Sequence, residues 1–315
     1  MARHYEYKNL NISLINTLTA SQVLELLQGE NPPLLIHVLP SEHFDVFHIQ
    51  DALNVCSYET SFVEQVRTLV PDISAPIIVY GQGGPSLDSQ EAAEKLIASG
   101  YTNIYDFRGG LGEWEENNYP LEGTKKIPTP PILNGTFQLD TEKSIIRWTG
   151  RNLFNHHEGI LKFGEGSLSI DHSTLQDGSL SIDMNSLSCN DLTDSGWNAA
   201  LIHHLRSTDF FDIEHFPTAD IKIMQCASKS SSTEGTVNYD VTCSLTLRGI
   251  SKTLTFPAVI AAADEDNITA QAQIEFDRTD FGSHYGSGKL FAFLGKHIVN
   301  DKVQLHLRII AKKQV

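Results

Sequence analysis

Three of the four residues Pro128, Thr129, Pro130 and Pro131 are proline, and they cut this chain of 315 residues in two. Proline fixes φ and removes a backbone N–H, so such a run continues neither a helix nor a central strand. Together with Gly123 to Ile127 it reads as a semi-rigid, polyproline-type spacer. The domains expected are 1–123, a Pro-rich linker over 124–134, and 135–315. Two domains also suit the length, at roughly 100–200 residues each.

The two sides differ in hydrophobic period. Before the linker, Pro33-Leu34-Leu35-Ile36-His37-Val38 and Pro76-Ile77-Ile78-Val79-Tyr80 are short apolar runs suited to strands covered on both faces. Ser21 to Gln28 and Ser89 to Ser99 carry helical spacing. In the second, Ala92, Ala93, Leu96 and Ile97 share a face, and Gly100 stands where a helix C′ residue belongs. Alternating strands and helices predict a parallel α/β sheet.

After the linker the period becomes two. Gly166 to Asp171, Gly178 to Met184, Val241 to Leu247 and Val303 to Ile309 alternate polar and apolar residues between closely spaced turns. That pattern predicts an all-β antiparallel barrel or sandwich, interrupted by one helix near Asn198 to Ser207. The fold class expected is thus multidomain, α/β followed by all-β.

Charge narrows the function. The net charge is −16, of which residues 1–125 hold −11 and residues 126–315 hold −5. A chain this acidic lacks the dense basic face that nucleic-acid binding needs. No apolar run approaches the ~20 residues of a membrane span. Met1 to Lys8 show no apolar leader segment, so a cytoplasmic location is expected. Cys56, Cys189, Cys226 and Cys243 have no metal-type or redox-type spacing. Cys226 and Cys243 could face each other on paired strands, but reduced thiols are the simpler reading.

Residues 12–122 resemble the rhodanese-like family. His48-Ile49-Gln50-Asp51-Ala52-Leu53-Asn54-Val55 looks like its G-H-I-x-G-A-x-N-I segment, and Gly100 to Tyr105 like its G-Y-x-N-V strand start. Gly109-Gly110-Leu111-Gly112-Glu113-Trp114 matches its G-G-x-x-x-W, and Tyr119-Pro120 closes the domain. The resemblance implies a cysteine thiolate at the start of a strand-to-helix loop, where backbone N–H groups and the helix dipole hold an anion. Here Gly81 stands at that position. Ser86 and Leu87 replace the Arg and Ser that should follow, the loop is longer than usual, and His37 and Leu39 replace the Asp and Arg of an upstream D-V-R. The vestigial loop Gly81, Gln82, Gly83, Gly84 and Ser86 therefore offers no nucleophile. It reads either as a permissive glycine turn or as a residual anion cradle. Neither sulfurtransferase nor phosphatase activity is expected. By fold-level analogy the domain would contact a protein partner or self-associate.

Residues 135–313 resemble the YceI-like family of lipocalin-like barrels, associated with polyisoprenoids and related lipids. Trp148-Thr149-Gly150-Arg151 with His157-Glu158-Gly159 looks like its W-T-G-K…H-x-G. Ser181 to Leu187 looks like its I-D-M-x-S-I strand, and His204 to Asp212 like H-L-K-S-x-D-F-F-D. Phe216-Pro217-Thr218-Ala219, Leu245 to Gly249 and Phe276 to Asp280 supply three further landmarks. Tyr285 to Asp301 looks like a branch less clearly tied to isoprenoids. The resemblance implies a barrel with room for side chains or one small ligand. The candidate ligand-binding residues are Trp148, His157, Asp183, His204, Phe276, Arg278, Tyr285 and Phe291. Trp148, Phe163, Phe256, Phe276, Phe291 and Phe293 supply large apolar surface, though aromatics fill cores equally well.

The leading expectation is a non-enzymatic carrier of a hydrophobic small molecule, an isoprenoid or fatty-acid derivative, with no other cofactor. Two alternatives stand beside it. His157 and His204, with Asp183, could hold a metal and serve an enzyme. Alternatively the barrel is packed solid and the chain is a structural adaptor. Arg278 and Asp280, two apart on a strand, would share a face and either meet a polar head group or form an ordinary surface pair.

Overall fold

A computed structural model describes residues 15–124, 126, 131–229, 232–233 and 235–314. Of the proline segment, Lys125 and Ile127 to Pro130 lie outside the described residues. The chain divides into two compact units, Met1–Thr129 and Pro130–Val315.

The first unit holds a five-stranded parallel sheet in the order β1-β6-β5-β2-β4. In chain order its elements are β1 (Asn16–Thr17), α1 (Ala20–Leu27), β2 (Leu34–His37), α2 (Ser41–Val46), β3 (His48–Ile49), β4 (Leu53–Asn54) and α3 (Phe62–Leu69). Then follow β5 (Ile77–Tyr80), α4 (Asp88–Ala98), β6 (Ile104–Phe107), α5 (Gly110–Glu116) and β7 (Leu121–Glu122). β3 and β7 form a separate antiparallel pair. Alternate residues of β2 and β5 face opposite sides, as the pleat requires. Ile36, Ile77 and Val79 meet Phe62 and Val66 of α3 and Ala92, Ala93 and Leu96 of α4. Leu35, Ile78 and Tyr80 meet Ala20 and Val23 of α1 and Leu111 and Trp114 of α5. Covering both faces explains why these strands read as continuous apolar runs. Cys56 falls two residues beyond β4.

His37 sits inside this core, fully buried and edge-on to Phe44 and Tyr80. Burial, aided by the nearby His48 and His43, pushes its pKa down to about 4. The fold therefore favours the neutral ring, and this stabilisation is complete above the ordinary pKa near 6.5. It is lost as pH falls through about 4. The difference amounts to about 3 kcal/mol. Amide hydrogen exchange in β2 and β5 should accelerate steeply between pH 6.5 and 4, after correction for intrinsic rates. A His37→Gln variant should show a flatter dependence; an unchanged slope would contradict the assignment.

The second unit is an antiparallel barrel of β8 (Gly135–Leu139), β9 (Ile145–Arg151), β10 (His156–Asp171), β11 (Thr174–Cys189), β12 (Thr218–Ser228), β13 (Tyr239–Leu247), β14 (Ile250–Ala262), β15 (Asn267–Asp277) and β16 (Lys302–Lys313). β8 and β9 share one slot between β10 and β16. β8 fills one end and β9 the other. Between them the chain turns at Asp140, whose carboxylate accepts the N–H groups of Glu142 and Lys143. The circuit thus closes with eight strand positions and no free edge. The helix α6 (Ser195–Arg206) lies between β11 and β12 in sequence and packs against β11. Its N-cap is Asp194, which accepts the Trp197 N–H.

Inward residues of the barrel strands form one core, and the β8 end is closely packed: Phe137, Ile268 and Ala311 are fully buried, and the void left there is only about 40 Å³. Cys243 pairs in register with Ile223, and Cys226 with Val241, so the two thiols do not oppose each other. Both are free, and burial raises each to about 11. Arg278 and Asp280 lie in the short 3-10 turn Arg278–Phe281 after β15, so the same-face strand argument does not apply to them.

Candidate functional site

The β9 end of the barrel is open where the β8 end is packed. It holds a cavity of about 300 Å³. Barrel strands and the helix α6 supply its walls. β11 contributes Ile182 and Met184 by alternation. α6 contributes Leu201, His204 and Leu205 at positions i, i+3 and i+4 of one face. The strands β9, β13, β15 and β16 add Trp148, Leu245, Leu247, Phe276, Val303 and Leu305. The stretch 296–300 and Arg151-Asn152 border the same space. The lining is mostly apolar with a few polar groups, the usual composition of a small-molecule site.

The polar groups are themselves tied down. The Trp148 indole donates to the Ser188 carbonyl at 3.0 Å. His204 Nε2 lies 3.2 Å from Asp209, and its ring meets Phe210 and Tyr285 edge-on. His157 Nδ1 lies 2.9 Å from Asp191. Burial alone would raise the Asp191 carboxyl, but hydrogen bonds from the Glu158 N–H, His157 and the Cys189 thiol outweigh it and hold the pKa down to about 2.

Arg278 is almost wholly buried. Its Nε donates to the Asn300 carbonyl at 3.0 Å, and one terminal nitrogen to the Ser283 carbonyl at 2.8 Å. The other reaches the Tyr285 and Val299 carbonyls at 2.7 and 3.1 Å. Its guanidinium carbon lies 5.4 Å from the centre of the Phe210 ring. Arg278 therefore holds the 283–301 segment against the barrel rather than pairing with Asp280.

Of the eight candidate ligand residues, Trp148, His157, His204, Phe276, Arg278 and Tyr285 line this cavity. Asp183 does not. It alternates with the inward Ile182 and Met184, and its carboxylate accepts the Asn185 N–H. Phe291 and Phe293 are exposed, so a family position in a loop gave no guide to where the ring goes. Phe163 is core, and Phe256 borders a second, much smaller void. Sequence reasoning missed Leu201 and Leu205, although their spacing from His204 was visible. It also missed Phe210 and Phe211, which follow the helix. His157 and His204 do not form a metal-type group together; among the described residues that group is His157, Cys189 and Asp191.

In the first unit, β5 ends at Tyr80 and α4 begins at Asp88. Gly83 and Gly84 have φ of +85° and +64°, conformations that favour glycine. The Asp88 carboxylate, itself buried, turns back into the loop. It accepts the Gln82 N–H at 3.1 Å, the Ser86 hydroxyl at 2.8 Å and the Ser89 N–H at 2.7 Å. A Cβ built on Gly81 would overlap the Asp88 carboxyl group. The donors that could hold an anion here hold the chain's own carboxylate.

A family model for the YceI-like domain matches residues 137–311, and one for the rhodanese-like domain matches residues 19–117. A UPF0312 protein of Pseudomonas fluorescens is 28% identical over 149 residues, covering 46% of this chain and 71% of that one. Over the first domain, the adenylyltransferase and sulfurtransferase UBA4 of Candida albicans is 35% identical over 97 residues. The chain spans only 22% of that protein's length. Among solved structures, Burkholderia cenocepacia BcnA matches with a TM-score of 0.43 at 24% identity, covering 55% of this chain and 99% of that one. A polyisoprenoid binding domain from Saccharophagus degradans matches with a TM-score of 0.40 at 15% identity, covering 56% and 98%. No helix among the described residues is long and apolar enough to cross a membrane.

Proposed function

This chain belongs to the YceI-like family, with a rhodanese-like domain ahead of the barrel, and we propose that it binds one apolar small molecule in the barrel and performs no sulfur chemistry. The cavity carries the reading. Its volume of about 300 Å³ stands beneath α6 in a barrel whose other end keeps only a void of about 40 Å³. Apolar side chains from β11, α6, β13, β15 and β16 suit a hydrocarbon chain. His204, Tyr285 and His157 at the open end suit a polar head group. The cargo class is an isoprenoid or fatty-acid derivative, the former named for one structure of the same fold. The rhodanese-like domain then serves as a contact surface for a protein partner or a second copy.

Sulfurtransferases are among the relatives of the first domain. Two features of this chain speak against that chemistry. Gly81 supplies no thiol, and Asp88 fills the space and the hydrogen bonds that a thiolate or a sulfur-bearing anion would need. Thiosulfate and cyanide should give no turnover. A Gly81→Cys variant should stay inactive too, because its thiol would stand against a carboxylate, which raises a thiol pKa. A Gly81→Cys variant that turns over would show that the loop accepts an anion beside Asp88.

A further inference from the structure

At the open end of the barrel, a residue from β10, the last residue of β11 and a residue just beyond it bring three different donor atoms together. We propose that His157, Cys189 and Asp191 form a binding site for one divalent transition-metal ion, of the zinc class, at the mouth of the cavity. Their donor atoms all lie within 4.8 Å of one another. His157 Nδ1 is 2.9 Å from one Asp191 oxygen, and the Cys189 sulfur is 3.1 Å from the other. An imidazole nitrogen, a thiolate and a carboxylate make a borderline-soft set, which suits zinc or cobalt and not calcium or magnesium. Ligand bonds of about 2.0–2.3 Å from a central ion need only small side-chain adjustments from these separations.

The donors stand on held backbone. Gly159 and Cys189 are register partners on β10 and β11, and the Asn190 N–H bonds to the Glu158 carbonyl. The Asn198 amide donates to the carbonyls of Cys189 and Leu192, which fixes the turn carrying Asp191. Burial fits as well. Cys189 is enclosed, whereas the His157 and Asp191 side chains are about a quarter exposed, at 23% and 24%, leaving a route for an ion. His157 also lines the cavity. Three protein ligands leave one position open, and that position would face whatever polar group the cavity admits. On binding, the thiol proton that now points to Asp191 passes to solvent, the sulfur becomes a ligand, and no redox change occurs.

The test uses the full chain, freed of any affinity tag and of bound metal, titrated with Co²⁺ alone. The expected result is about one ion per chain with a sulfur-to-cobalt charge-transfer band. That band should vanish in Cys189→Ser and persist in Cys226→Ser. Binding should weaken by at least about tenfold in His157→Gln, whose fold is checked by circular dichroism. A native chain without the band, or a band that survives Cys189→Ser, would overturn the site. The band reports on the sulfur and not on the cavity, so it is read separately from cargo binding.

Discussion

Replacing Arg278 with Met should destabilise the barrel by ~3–5 kcal/mol, the range for breaking a buried charge network. Methionine matches the stem but has no donors. The carbonyls of Ser283, Tyr285, Val299 and Asn300 would lose their partner together. Each buried carbonyl left unpaired costs about 1–3 kcal/mol unless water reaches it. Water can enter here, since the segment borders the open end, so the loss should fall short of the full sum. The 283–301 segment should detach before the strands separate. Hydrogen exchange should therefore rise first at the Val299 and Asn300 amides, which now bond to Gly286 and Arg151 carbonyls. Arg278→Lys should recover little, because a single ammonium cannot reach carbonyls on several sides. A Met variant of native stability would show that the segment is held by something else.

Filling the cavity should abolish cargo binding while leaving the fold intact. Met184 projects from β11 into the space and is buried. Met184→Trp places a large ring where the hydrocarbon chain should lie. Growth into a packed core costs typically 1–3 kcal/mol, but growth into a void avoids most of that strain. Affinity for a fluorescent polyene fatty acid should fall at least about 100-fold, equivalent to about 2.8 kcal/mol, with a stability change near 1 kcal/mol or less. Met184 lies away from the His157 cluster, so cobalt binding should persist in this variant. Unaltered uptake of the fatty acid would place the binding surface elsewhere.

The sequence carried the architecture more fully than the site. Two-residue periodicity in Gly178 to Met184 marked the strand and also which residues point inward, because the pleat ties identity to face. That same rule should have removed Asp183, which stands between Ile182 and Met184. The family pattern kept it in. Arg278 was misplaced for a different reason. The alternating run ends at Asp277, whose carboxylate caps a 3-10 turn by accepting the Thr279 N–H. One step past a strand end, spacing no longer predicts a face. The Asp88 carboxylate was invisible for a third reason. The loop from Gly81 turns through two left-handed glycines, and no local pattern states that a side chain seven residues on folds back into it. The same limit hid the His157, Cys189 and Asp191 group, whose members meet only through the pairing of β10 with β11.

Whether the β9 end of the barrel holds an apolar molecule is decided by mass spectrometry of an organic extract of the freshly purified chain, followed by titration of the stripped protein with the fluorescent polyene. The extract should hold a stoichiometric isoprenoid or fatty-acid derivative, and the stripped protein should take up about one polyene per chain, saturably. An empty extract from a protein that also takes up no polyene would contradict it, and the barrel would then be a scaffold without cargo.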